Sequence, residues 1–377
     1  MLHSESRRER YVELDGVRGV AIGFTLLGNT LIVRDEGPRE HAWAILGDFG
    51  WIGVQLFFVL SGYLITNILL DAKGERFYFR NFYARRALRI FPAYFLMLTI
   101  ATVGRAALNS PLPHNPLCYW FFVSNFCIAK SGDWGNLYLG ATWSLAVEEH
   151  FYLLWPLLIA FLSIRQVMWA SVGIILGSLV LRYVMSAEGY SAVTLYTITP
   201  TRIDAIAAGA LIAAFIRTGS KTKLAAVAPF ILAGGLAVIA ATISQTSGSF
   251  RYDLRLVETL GYTGLTLAAA GFILMLILSQ GRDNAMRRAM RWSPLASIGF
   301  YSYAIYLYHG MVHVILLKLP LFQAANLAMF PGGPLAAQLL VTCAVTLIST
   351  GLAVASYHFF ESRFLSLQRH FPLNSRH

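Results

Sequence analysis

Charge is scarce in this chain. Of 377 residues 13% are charged and 56% are hydrophobic, with a mean hydropathy of +0.58. Those proportions exclude an ordinary soluble protein and describe an all-α integral membrane protein. Cysteine is scarcer still, and three residues build neither a disulfide framework nor a zinc site of usual spacing. Cys118 and Cys127 are near enough for one bridge or none, and Cys343 reads as a small buried hydrophobe. Residues 1–10, MLHSESRRER, have no apolar signal-peptide core, so this end is expected to stay in the cytosol. There is no internal repeat of the kind that builds the inverted halves of many transporters. The formal charge of +11 invites a nucleic-acid reading. The basic residues, however, cluster in short segments between apolar runs, so they read as topology signals and no nucleic-acid partner is expected.

Ten apolar runs are long enough to cross a bilayer core of about 30 Å at roughly 1.5 Å per residue. They are 16–33, 51–70, 88–106, 142–163, 168–186, 202–218, 224–244, 258–280, 296–317 and 335–357, and they leave residues 1–377 as a single transmembrane domain. The stretch 116–129, PLCYWFFVSNFCIA, is too short to span and is expected to be re-entrant or interfacial. Lysine and arginine concentrate at Arg7, Arg8 and Arg10, at Lys73 to Arg89, at Arg217 to Lys223, at Arg282 to Arg291, and at Arg363 and Arg369. All fall on one side only if ten helices span, which puts both termini in the cytosol.

Ionisable groups at bilayer depth cost several kcal/mol and are functional candidates by default. Asp15 and Arg18 sit at the cytosolic mouth of the first run, either as a local ion pair or as the start of a polar wall. Asn29 lies eleven residues on, roughly 16 Å along a helix and on the same face as Arg18. In the second run Ser61 and Gly62 permit close packing or leave room for a ligand. Lys73, Arg76, Arg80, Arg85, Arg86 and Arg89 give six cations in seventeen residues, the last three entering an apolar helix that Pro92 is expected to bend. Guanidinium forks match phosphates, so this group suits either a polyanion such as coenzyme A or anionic lipid headgroups. ATWSLAVEEHFYLLWP, 141–156, carries Trp143, Ser144, Glu148, Glu149 and His150, with Ser144 and Glu148 on one face. Its carboxylates suit structural ion pairing or acid–base work. Arg202 and Asp204 read as an ion pair that serves as an anchor or a substrate contact. His309 reads first as a satisfied core group, and Glu361 as an interfacial ion pair or a partner for Arg86 and Arg89.

Seven stretches taken in order carry a resemblance: LDGVRGVAI, GWIGVQLFFVLSGYLI, FYARRALRIFPAYF, TWSLAVEEHFYLLWP, TPTRIDAIAAGALIA, YSYAIYLYHG and YHFFESRF. Together they resemble the acyltransferase 3 family of O-antigen acetylase-like membrane proteins across nearly the whole chain. The resemblance implies a ten-helix membrane protein, in a bacterial inner membrane, that moves an acyl group, most often acetyl, from cytosolic acyl-CoA to a hydroxyl of a carbohydrate or glycolipid acceptor. It implies membrane lipids as surroundings, acetyl-CoA or another acyl-CoA as donor, and no metal. The family's Arg-x10-His element falls on Arg18 and position 29, its Arg-x-x-Arg element on Arg86 and Arg89, and its late glutamate on Glu361. Catalytic roles are thus expected for position 29, Arg18, Glu148 and Glu361. Donor binding is expected from Arg85, Arg86, Arg89, Ser61 and Gly62, and acceptor or structural roles from Asp15, Trp143, Ser144, Glu149 and His309.

The departure is at position 29, which is Asn where the family has His. An amide does not take a proton near neutral pH, whereas neutral imidazole does. Either the chain is an inactivated form, which the intact remaining markers favour, or its base is elsewhere. The rival from another class is a transporter or flippase of an anionic or lipid-linked sugar. A further enzymatic rival uses a lipid-linked acyl donor.

Overall fold

A computed structural model describes residues 12–30, 47–104, 115–134, 137–219, 221–322 and 333–373. The basic cluster Arg7, Arg8 and Arg10 lies outside them, as do residues 34–46 and 323–332 between expected runs. Every regular element among the described residues is helical. The main ones are α1 (Val12–Asn29), α2 (Ile52–Ala72), α3 (Tyr78–Gly104), α4 (Ser124–Ser131), α5 (Thr142–Phe161), α6 (Ile164–Ala187), α7 (Thr199–Thr218), α8 (Lys221–Gln245), α9 (Tyr262–Leu278), α10 (Ser293–Phe300), α11 (Ser302–Lys318) and α12 (Gly333–Ser356).

Among the described residues eight helical stretches are long and apolar enough to cross a membrane, or nine if the bent pair α10–α11 is one crossing. The helix α1 falls outside that count because Glu13, Asp15 and Arg18 charge its first two turns. It also ends at Asn29, four residues short of the run expected at 16–33, so the amide stands at the helix terminus. Three other boundaries differ from the sequence reading. The third run begins ten residues early, at Tyr78, which puts Arg80, Arg85, Arg86 and Arg89 all on one helix. The run expected at 296–317 is broken at Tyr301 by a 74° bend. The last run continues past Ser356 through a π-turn to His370.

Burial sorts the helices into a centre and a rim. The stretch Ala192–Thr218, containing α7, is 72% buried in its apolar window, whereas α8 is 11% buried and α6 22%. Small residues explain the tight centre. A Cβ on Gly62 would run into the Ile206 carbonyl of α7, and one on Gly209 into the Val59 carbonyl of α2, so the two backbones meet where side chains are absent. Gly62 therefore packs helices and opens no ligand space. The rim helix α12 carries Cys343 on its exposed side, not in the core as expected, because a small apolar side chain is equally at home against lipid.

The stretch 116–129 forms two short helices, Leu117–Trp120 and α4, joined through Phe121–Val123 and tied by a Cys118–Cys127 disulfide. Alkylation with a membrane-permeant maleimide under denaturing conditions should therefore label one cysteine in the unreduced protein and three after reduction. Mass spectrometry showing three labels without reductant would contradict the bridge.

At the centre a buried polar network joins α2, α6, α7 and α9. Arg182, fully buried, pairs with Asp204 at 3.0 Å and donates to the Thr201 carbonyl at 2.6 Å and to Thr263 Oγ1 at 2.9 Å. Asp204 also accepts from Thr266, which takes a hydrogen bond from Gln55. Arg202 does not pair with Asp204, contrary to the sequence reading. It donates to Gln55 Oε1 at 2.8 Å and lies over the rings of Tyr262, Tyr196 and Trp143, 4.3 to 5.8 Å from their centroids. Residues 202 and 204 sit about 200° apart around a helix, so they face different neighbours.

Candidate functional site

A cavity of about 920 Å³ runs between α1, α2, α3, α5 and α11. Pockets for drug-sized ligands span about 300–1,000 Å³, so this one suits a large substrate. Its lining on α2 extends from Val54 to Asp71, or about 26 Å at helical rise, close to the depth of a bilayer core.

The polar groups along it fall into four levels. At the α2 C-terminal end Arg217 donates to Asp71 at 2.6 Å and to Asn67. Next come Arg18, paired with Asp15 at 2.7 Å, and Arg86 and Arg89 of α3. Arg86 and Arg89 lie three residues apart on one helix face and make no ion pair among the described residues. The Arg86 guanidinium rests over the Phe82 and Tyr152 rings, 5.8 Å from each centroid. Deeper, Ser61 is hydrogen-bonded to the Tyr152 hydroxyl, which donates to Glu148 Oε2 at 2.9 Å. Beyond them Ser144 Oγ and Tyr306 OH share a 2.6 Å hydrogen bond. The spacing of Glu148 and Tyr152, one helical turn, sets that relay on a single face of α5.

The structure thus gathers Asp15, Arg18, Ser61, Arg86, Arg89, Ser144 and Glu148 around one cavity. The other expected residues are placed elsewhere. Arg85, next to Arg86 but rotated about 100° around α3, donates to the carbonyls of Gln368 and Phe371 in the C-terminal segment. Glu361 accepts from Ser356 at 2.6 Å and forms no ion pair with Arg86 or Arg89. Trp143 is buried against Phe58 and Tyr196, and Glu149 does not line the cavity. His150 stacks on Phe126 and shares a 2.6 Å hydrogen bond with Thr199, a structural contact. Sequence reasoning missed Tyr152 and Tyr306, although Tyr152 had a signal in its four-residue spacing from Glu148. It also missed the Asp71–Arg217 pair, which no local pattern announces.

Asn29 and His309 meet one turn past the cavity wall. Asn29 Nδ2 lies 2.9 Å from His309 Nε2, and His309 Nδ1 lies 2.7 Å from the Tyr306 carbonyl. No group of three or more His, Cys, Asp or Glu side chains among the described residues has metal-holding geometry.

Residues 11–357 match the family model described as an acyltransferase domain. The chain is 28% identical over 386 aligned residues to YrhL of Bacillus subtilis, named for peptidoglycan O-acetylation, covering 96% of this chain and 56% of that protein. It is 28% identical to the peptidoglycan O-acetyltransferase OatA of Listeria monocytogenes, over 80% of this chain and 49% of that one. To the O-acetyltransferase OatA of Staphylococcus aureus it is 27% identical, over 69% and 45%. The chain spans about half the length of the curated relatives it matches. No solved structure matches it.

Proposed function

The chain belongs to the acyltransferase family whose model it matches from residue 11 to residue 357, and from that premise we propose that it is a membrane-embedded O-acyltransferase. It takes an acyl group, acetyl in the first instance, from cytosolic acyl-CoA and passes it to a carbohydrate hydroxyl presented from the other side of a bacterial inner membrane. The observation that carries this reading is a cavity about as deep as the bilayer that holds two arginines, Arg86 and Arg89, with no direct ion pair among the described residues; Glu148, Glu149 and Glu361 act on them only at longer range. Unpaired guanidinium groups at a largely apolar cavity are costly unless an anion arrives to use them. The phosphates of coenzyme A supply that charge in the bidentate geometry that arginine prefers. The pantetheine arm then lies along the apolar stretch lined by Phe57, Phe58 and Leu64, with the thioester toward Ser144 and Tyr306. Basic-side sorting supports a cytosolic Arg86 end.

The relatives' names point to peptidoglycan as the first acceptor to try. Purified protein in vesicles, given radiolabelled acetyl-CoA outside and soluble peptidoglycan oligosaccharides, should release CoA thiol and place alkali-labile label on the glycan. Glycan translocation without ester formation or thiol release would instead establish the transporter reading. Labelled ester formed from an acyl phospholipid but not from acetyl-CoA would establish the lipid-donor reading.

A further inference from the structure

We propose that the general base of this chain is His309, held in its reactive tautomer by the Tyr306 carbonyl and positioned by Asn29. The proposal rests on the acyl-transfer reading above and departs from the expectation that Asn at position 29 leaves the protein without a base.

The hydrogen bonds fix the protonation pattern. A carbonyl oxygen only accepts, so the contact between His309 Nδ1 and the Tyr306 oxygen at 2.7 Å requires the proton on Nδ1. Neutral imidazole then carries its lone pair on Nε2, the atom that faces Asn29 Nδ2 at 2.9 Å. The amide is therefore the donor and Nε2 the acceptor. An asparagine suits this position in both states of the cycle: its NH₂ donates to the neutral ring, and after a flip its oxygen accepts from the protonated one. An imidazole at position 29 would pair as well with the neutral ring but would face the protonated ring with a second base.

The location suits a base that works between two substrates. Tyr306 belongs to the cavity wall, and His309 lies one turn further along α11, 1% exposed. On its far side Asn29 is exposed at the end of α1. An acceptor approaching from that side meets the amide first and reaches Nε2 by displacing it, and the thioester end of the donor extends past Tyr306 to meet that oxygen at Nε2. A second imidazole, His313, stands one turn beyond His309, against the Asn29 backbone, and its buried Nε2 has no hydrogen-bond partner among the described residues. Packing alone accounts for satisfied nitrogens on His309, but it leaves the unpartnered His313 nitrogen beside this pair unexplained.

The step balances without a cofactor. As the acceptor oxygen bonds to the thioester carbon, its proton passes to His309 Nε2. The tetrahedral intermediate then expels the CoA sulfur, and the Nε2 proton goes to that thiolate, leaving an ester, free CoA thiol and neutral His309.

The test compares wild type, His309→Gln and Asn29→Ala in vesicles. It follows thiol release from acetyl-CoA in the presence of peptidoglycan oligosaccharides and, separately, equilibrium binding of tritiated acetyl-CoA. His309→Gln should lose about 10² to 10⁴-fold in transfer rate, the range for loss of a general base, with acetyl-CoA affinity unchanged. A loss of less than about tenfold overturns the proposal. If His309→Gln fails to bind acetyl-CoA, the comparison rests on Asn29→Ala. That variant should lose about tenfold in rate at unchanged affinity, as expected for a positioning residue, and full activity in it overturns the proposal. Wild type that binds acetyl-CoA but transfers nothing overturns His309 as base and leaves the donor site standing. Wild type that neither binds nor transfers overturns the acyltransferase reading, and this inference with it.

Discussion

Replacing Arg86 by alanine is expected to weaken acetyl-CoA binding by about 10- to 150-fold. Hydrogen bonds to charged groups contribute about 1.5–3 kcal/mol each, and about 1.4 kcal/mol corresponds to a factor of ten. The upper part of that range applies where both forks of the guanidinium engage a phosphate. Arg86→Lys should recover only part of the loss, because an ammonium reproduces the charge but not the planar fork. Arg85→Ala is the internal control. Its side chain is committed to the Gln368 and Phe371 carbonyls, so the substitution should leave affinity within about twofold, well under one typical hydrogen bond. Equilibrium binding of tritiated acetyl-CoA at fixed salt measures all three. Wild-type affinity in Arg86→Ala, or an equal loss in Arg85→Ala, would remove the cavity from the donor site.

The second large effect concerns the central polar network. Asp204→Ala should destabilise the protein by about 3–5 kcal/mol, the cost of leaving one member of a buried ion pair uncompensated. Arg182 is fully buried, its carboxylate partner is 3.0 Å away, and its two remaining acceptors are neutral. In detergent that corresponds to a fall in melting temperature on the order of 5–10 °C. The paired change Arg182→Met with Asp204→Leu removes both charges and keeps volume, and it should recover most of the loss, since apolar replacement of buried pairs is often neutral. Arg202→Met tests the other half of the network. It removes a guanidinium whose only side-chain acceptor among the described residues is Gln55, and should cost less than Asp204→Ala because no opposite charge is stranded. A melting temperature unchanged by Asp204→Ala would mean that the pair is not what holds α6 to α7.

The two predictions act on different properties. The loss at Arg86 is a loss of affinity in a folded protein, whereas the loss at Asp204 is a loss of the fold that shapes the cavity. Measuring melting temperature alongside binding in each variant keeps them apart.

Much of this was legible from composition and spacing. The scarcity of charge determined a membrane protein, because about twenty uncharged residues in a helix match a bilayer core and nothing soluble requires ten such runs. The order of seven stretches pointed to the family, and the three-residue step from Arg86 to Arg89 put both on one face of their helix. Position 29 was identifiable as Asn by counting eleven residues from Arg18. Spacing along one helix is a matter of a fixed 100° turn per residue, so such relations survive without a structure.

Relations between helices do not, because they depend on how each helix is rotated and how closely its neighbours approach. Nothing in the sequence assigned Asp204 to Arg182 over Arg202, turned Arg85 to the C-terminal segment while Arg86 faced the cavity, or committed Gly62 to packing against Ile206. Above all, 280 residues separate Asn29 from His309. The sequence by itself determined that position 29 is Asn, where the resemblance led to the expectation of an imidazole. Only the tertiary structure decided that another stands against the same amide, because it is the packing of α1 beside α11 that brings the two side chains within hydrogen-bond reach.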